Sequence, residues 1–154
     1  MEDVFQKLIL MIRAYYPVLY LHSYEYYRTK QKIKGIVELL RREGKKVNYY
    51  QWDCVYGLVQ ILPDKTEIRI ERMQNPLEVL AYILNSKKSG EKNIFVLDDI
   101  NNHIERDEVK LMFRKIAEAT NNNTHAIILS SIYRLPAELE KYITCLLYTS
   151  DAAD

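Results

Sequence analysis

The sequence is short of glycine, proline and cysteine, with 4, 4 and 2 among its 154 residues. So few glycines rule out collagenous and glycine-rich low-complexity chains. Cys54 and Cys145 are too few and too far apart in sequence for a disulfide framework. The three histidines, His22, His103 and His125, lack the paired spacing with cysteine or carboxylate that zinc requires, so no metal site is expected. No apolar run approaches the roughly 18 residues of a membrane helix. Met1 is followed by Glu2 and Asp3 rather than by the basic start of an export signal. A soluble, cytoplasmic protein is the expectation, and the sequon Asn122-Asn123-Thr124 then reads as a plain asparagine-rich turn. Lys and Arg number 22 against 21 acidic residues, so global charge favours no polyanionic partner.

What is present is an ordinary globular composition, 48% hydrophobic and 28% charged, at the length of one domain. Val4, Phe5, Leu8, Ile9, Ile12 and Tyr16 recur at three- and four-residue spacing, one face of a helix that must stop before Pro17. Val18 to Leu21 is continuously apolar, the pattern of a strand covered on both faces. Ile33, Ile36, Val37 and Leu40 predict a second helix over 29–43, with Gly44 just beyond its end. Val47 to Trp52 reads as a strand. Leu58 to Ile70 reads as a hairpin with Val59 and Ile61 facing Ile68 and Ile70. Asn75-Pro76-Leu77-Glu78 carries a cap, a first-turn proline and a capping acid, and opens a helix to about Ser86.

Asn93 to Leu97 is a buried strand ending in Asp98 and Asp99, Val109 to Ile116 marks a fourth helix running to Asn121-Asn122-Asn123, and Ala126 to Leu129 is a strand ending in Ser130 and Ser131. Pro136 opens a short helix, Ala137 to Tyr142. Alternation of strand and helix predicts a three-layer α/β fold, a mainly parallel sheet of four or five strands with helices on both faces. In such sheets the ligand site lies beyond the carboxyl ends of the strands. Ser23 to Arg28, Asp98 to Asn102 and Ser130 to Arg134 should therefore converge.

The element order is that of a P-loop ATPase core, but the phosphate loop is missing. Such a loop wraps phosphates with the bare amides of glycines and ends in Lys and Ser or Thr. Here the first strand is followed by Ser23-Tyr24-Glu25-Tyr26-Tyr27-Arg28-Thr29-Lys30, with no glycine until Gly35. Asp98 and Asp99 stand where a magnesium-binding and a water-activating acid would, and Ser130, Ser131 and Arg134 where the terminal phosphate would be sensed. Asp98, Asp99 and Ser130 are the candidate residues of a vestigial nucleotide site, against the plain reading of strand-end polar groups. No nucleophilic triad is legible, because neither serine sits in a Gly-x-Ser-x-Gly turn, and no catalytic residue is expected.

One competing reading rests on charge. Between Arg28 and Lys46 eight basic residues face only Glu38 and Glu43, although the whole chain is only +1. At helical spacing Lys30, Lys34, Arg41 and Lys45 fall in one arc, preceded by Tyr24, Tyr26 and Tyr27, a combination suited to nucleic acid. A solvated helix face is the plainer explanation, since 13 tyrosines are spread over the chain.

Several strings carry a resemblance: Met11-Ile12-Arg13-Ala14-Tyr15-Tyr16-Pro17-Val18-Leu19-Tyr20, Gln51-Trp52-Asp53 with Gly57-Leu58, Asn75-Pro76-Leu77-Glu78-Val79-Leu80, Ile94 to Asn102, and Ile127 to Ile143 with Leu135-Pro136-Ala137-Glu138-Leu139-Glu140. In this order, across residues 4–144, they resemble the amino-terminal region of the AAA ATPase family of the hypothetical chloroplast reading frame forty-six type. The resemblance implies an ATPase-like core without its phosphate loop, followed in the parent protein by an AAA module that binds and hydrolyses ATP with magnesium as a ring. It also implies a cytoplasmic or plastid-stromal location. This segment, 1–144, would then need no cofactor of its own and would pack against that carboxyl-terminal AAA module or recognise partners. Nucleotide binding without hydrolysis, through Ser23 to Lys30 and Asp98, is a further alternative. Residues 145–154, Cys145-Leu146-Leu147-Tyr148-Thr149-Ser150-Asp151-Ala152-Ala153-Asp154, depart from the family, read as a translated adapter and are set aside from the expected fold. Exposed apolar surface is expected on what remains.

Overall fold

The computed structural model describes residues 3–119 and 123–148. Helix α1 (Val4–Arg13) is capped by Asp3, whose side chain accepts from the Phe5 N–H at 3.2 Å. It ends three residues before the expected limit, because Tyr15 takes a left-handed φ of 65° and turns the chain toward Pro17. Strand β1 (Val18–His22) leads into α2 (Tyr26–Arg42), which begins one turn earlier than the apolar stripe suggested. Gly44, at φ 90°, closes α2 with N–H bonds from Gly44 and Lys45 back to Arg41 and Leu40. Then follow β2 (Val47–Asp53), β3 (Gly57–Ile61) and β4 (Glu67–Glu71). Helix α3 (Pro76–Ser86) is capped by Asn75 through the Leu77 N–H, as its sequence dictates. Strand β5 (Lys92–Asp98), helix α4 (Asp107–Glu118), strand β6 (Thr124–Ser130) and strand β7 (Thr144–Leu147) complete the order.

The strands form one sheet in the order β4-β3-β2-β5-β6-β1-β7, parallel except where the hairpin makes β2-β3 and β3-β4 antiparallel. Helices α1 and α2 cover one face through Leu8, Ile12, Ile33, Val37 and Leu40, which meet Leu19, Leu21, Val96 and Ile127. Helices α3 and α4 cover the other, where Val79, Ile83, Val109 and Phe113 meet Tyr20, Phe95, Leu97 and Ile128. Alternate residues of one strand thus reach different cores, which is why β1, β5 and β6 carry continuous apolar runs. No helix among the described residues is long and apolar enough to cross a membrane.

The three-layer α/β architecture stands as expected, with corrections. The sheet has seven strands rather than four or five. Residues 145–147, set aside on the sequence, lie in β7 beside β1, with Tyr20 opposite Cys145 and Leu21 opposite Leu146. Apolar Leu146 fills the space over α1 that an open sheet edge would leave to water. The hairpin exists, but Val59 lies opposite Arg69, and Ile61 opposite Glu67. Strand β4 projects beyond the helices and is almost wholly exposed, so no buried face fixes its register, and the turn and the irregularity at Leu58/Val59 decide it instead. The short helix after Pro136 is a single 3-10 turn, Ala137–Leu139. Asn121 and Asn122, the latter the sequon's asparagine, lie outside the described residues, as do 149–154.

Candidate functional site

The connection from β1 through α2 runs toward β2, whereas the chain from β6 runs the other way to β7. The carboxyl ends of β1 and β6 therefore flank the crevice where sheets of this kind take their ligands. The three segments expected to converge do so there, and the interactions they make occupy the crevice.

Tyr26 stands at its centre. Its hydroxyl donates to Asp99 Oδ1 at 2.5 Å, accepts from the Ser131 N–H at 2.9 Å and lies 3.3 Å from Ser131 Oγ. One helical turn later Lys30 Nζ reaches Asp98 Oδ2 at 2.5 Å, with both side chains more than three-quarters buried. Ser23 and Thr29, both fully buried, share a hydroxyl bond of 2.8 Å. His22 Nε2 donates to the Ser131 carbonyl. On the other face of the sheet, Tyr20 donates to the Ile132 carbonyl and accepts from Asn101 and the Arg134 N–H, while Arg134 reaches Asn102.

A phosphate loop works by presenting unused amides. Here the Ser23 N–H is given to Ser130 O, Glu25 N–H to Ser23 Oγ, Thr29 N–H to Glu25 O and Ser131 N–H to Tyr26. Glu25 adds a negative charge at the N-cap of α2, where a phosphate would seek the helix dipole. A triphosphate would have to displace Tyr26 and overcome that carboxylate. The residues present do not fit the group.

The acid pair is split. Asp99, held at a left-handed φ of 58°, turns to Tyr26, whereas Asp98 turns to Lys30. Burial pushes the Asp98 carboxyl above its ordinary value despite Lys30, and the charges of Asp99 and Asp53 add to the rise. Its Oδ1 has no hydrogen-bond partner among the described residues. Ser130 is buried and bonds the backbone of Ile132, so Ser131 rather than Ser130 joins the crevice. Among the described residues no three His, Cys, Asp or Glu side chains are grouped to hold a metal.

The basic arc comes apart in three dimensions. Lys30 is tied to Asp98, Arg41 donates to the Val47 carbonyl, and Lys45 lies past Gly44 beyond the helix. Lys34, half-buried and without an ion pair among the described residues, lines an open groove of about 360 Å³ together with Tyr26, Tyr27, Lys30, Gln51 and Lys65. Sequence reasoning found the crevice segments but not the pairing of Lys30 with Asp98. The signal was there, since Tyr26 and Lys30 are four apart on one helix face.

The chain resembles known proteins over nearly its whole length. It is 27% identical to the AAA domain-containing protein ycf46 of Guillardia theta over 89% of this chain and 26% of that protein. It is 25% identical to the ycf46 protein of Trieres chinensis, over 91% of this chain and 27% of that protein. The chain spans about a quarter of the length of these curated relatives. Residues 4–148 match the family described as SpoVK-like AAA ATPase, N-terminal domain, a range that includes β7. By that match, over nearly its whole length, the chain belongs to the SpoVK-like AAA ATPase N-terminal domain family.

Proposed function

We propose that this domain is the non-catalytic part of an AAA ATPase, an interaction or regulatory module that keeps the ATPase sheet and has surrendered its phosphate site. The observation that carries this reading is Tyr26, whose hydroxyl takes both the Ser131 amide and the Asp99 carboxylate. ATP and magnesium would be bound and hydrolysed by a separate AAA module of the full-length protein, in a ring, in the cytoplasm or a plastid stroma. The carboxyl rim of the sheet supports an interaction role: Tyr24, Val55, Ile132 and Tyr133 are all more than half exposed around it. Aromatic side chains grouped on a surface are the composition of protein interfaces. The AAA module of the same chain is the partner this rim would meet.

Equilibrium binding of a fluorescent ATP analogue with magnesium tests the first half. The expected result is no saturable binding below millimolar concentration. Micromolar affinity abolished by Asp98→Ala would instead establish nucleotide binding without hydrolysis. Tyr24→Ser/Tyr133→Ser in the full-length protein tests the second half and should lower its ATPase rate or loosen its ring while leaving the isolated domain folded.

A further inference from the structure

Beyond the crevice, the face of the sheet covered by α1 and α2 is left open at the hairpin. There α2 forms one wall, the β3–β4 hairpin the other, and two hollows of about 360 and 280 Å³ share Lys30, Gln51 and Glu67. We infer that this groove binds a single strand of nucleic acid, with Lys34, Lys65 and Arg69 on its phosphates and Tyr27 and Tyr56 stacking its bases.

The charges are the first argument. Lys34 and Lys65 line one hollow and Arg69 the other, and none of the three makes an ion pair with a described residue. Asp53 and Glu67 are the only acids on the groove's lining, so cations outnumber them even with Lys30 held by Asp98. The backbone is the second. Lys65 sits at the hairpin tip with φ 71°, a conformation for which glycine or asparagine would be the relaxed choice. A lysine kept there at a conformational cost is placed for its charge. The aromatic rings are the third: Tyr27 is 76% and Tyr56 63% exposed, one on each hollow, available to a flat base rather than to the core. Acidic peptides would satisfy the cations but make no use of the rings. A duplex is too wide for a recess between one helix and a hairpin.

Fluorescence anisotropy of the 154-residue chain with a labelled single strand of about ten nucleotides tests this. Three phosphate contacts give a salt slope near −2, so affinity should fall about 20-fold between roughly 50 and 200 mM salt. Lys34→Glu with Arg69→Ser should weaken binding at least tenfold, and Tyr27→Ala at least fivefold. Lys65→Gly should raise the melting temperature yet weaken binding, separating the loss from any loss of fold. Lys45→Glu, off the groove, should leave affinity nearly unchanged. No binding at low salt, equal affinity for duplex or polyglutamate, competition by micromolar mononucleotide, or equal sensitivity to Lys45→Glu would each overturn the assignment.

Discussion

The two ends of the sheet handle buried charge in opposite ways. At the carboxyl end Lys30 meets Asp98 and the Tyr26 hydroxyl meets Asp99, so charge faces charge or a strong donor. At the amino end Lys92 has no carboxylate. Its Nζ, in a residue only 8% exposed, donates to His125 Nε2 at 2.8 Å and reaches the Ile12 carbonyl, with the Tyr15 ring 5.5 Å away. His125 in turn donates from Nδ1 to the Tyr16 carbonyl. A lysine–histidine pair can share a site only while the imidazole stays neutral. The carboxyl end is built of pairs that tolerate neutral pH, whereas the amino end depends on a group that must not gain a proton.

The largest expected effect is therefore acid lability seated at the amino end. Burial, and then Lys92, lowers the His125 pKa to about 4 from 6.5. A depressed pKa means that its contribution is complete above 6.5 and is lost as pH falls toward 4, worth about 3 kcal/mol over that window. Urea unfolding at stepped pH should show the loss, and His125→Gln should flatten it. A wild-type curve level between pH 7 and 4.5 would refute the assignment. On the alkaline side burial brings Lys92 and Lys87 to about 8, so stability should rise as pH climbs from 8 toward 10. Above 10 the gain reverses, because burial raises the phenols of Tyr49 and Tyr50 and folding then opposes their ionisation.

Breaking the ion pair at the carboxyl end should cost somewhat less. Lys30→Met leaves the Asp98 carboxylate buried and unpaired, and since both side chains keep some exposure the cost is about 2 kcal/mol at pH 7. The Asp98 carboxyl, already raised, would rise further, so its contribution grows on acidification in both proteins but more strongly in the variant, and the gap between them should narrow as pH falls while both share the His125 loss. Lys30→Met/Asp98→Leu should return close to the parent, because the charge that needed a partner is gone.

Much of this contrast could be read before the fold was known, and some could not. The apolar runs of β1, β5 and β6 announced strands covered on both faces, and the absence of glycine between Ser23 and Lys30 announced a filled crevice. Those signals are local. His125 reads in sequence only as a histidine just ahead of a strand, because Lys92 is brought to it only by pairing β5 with β6. Likewise the arc of Lys30, Lys34, Arg41 and Lys45 assumed a helix that continued past Gly44, and the hairpin register assumed a buried face that β4 does not have.

Removing the Tyr26 hydroxyl by Tyr26→Phe should cost about 1–2 kcal/mol, since it strands both the Ser131 N–H and an Asp99 oxygen. If Tyr26 is what closes the crevice, the variant should also admit more of a phosphate analogue than the parent does, a comparison that calorimetry with inorganic phosphate can make.

The smallest effect belongs to Thr29→Val. It removes one partner of the buried Ser23–Thr29 bond, yet Ser23 Oγ keeps the Glu25 N–H it already accepts. The loss should stay under about 1 kcal/mol. Ser23→Ala should exceed it, because that change strips the acceptor from the Glu25 amide as well as the partner from Thr29. The two melting temperatures, measured side by side, say whether the loop after β1 is held by its hydroxyl pair or by the amide that a phosphate would otherwise claim.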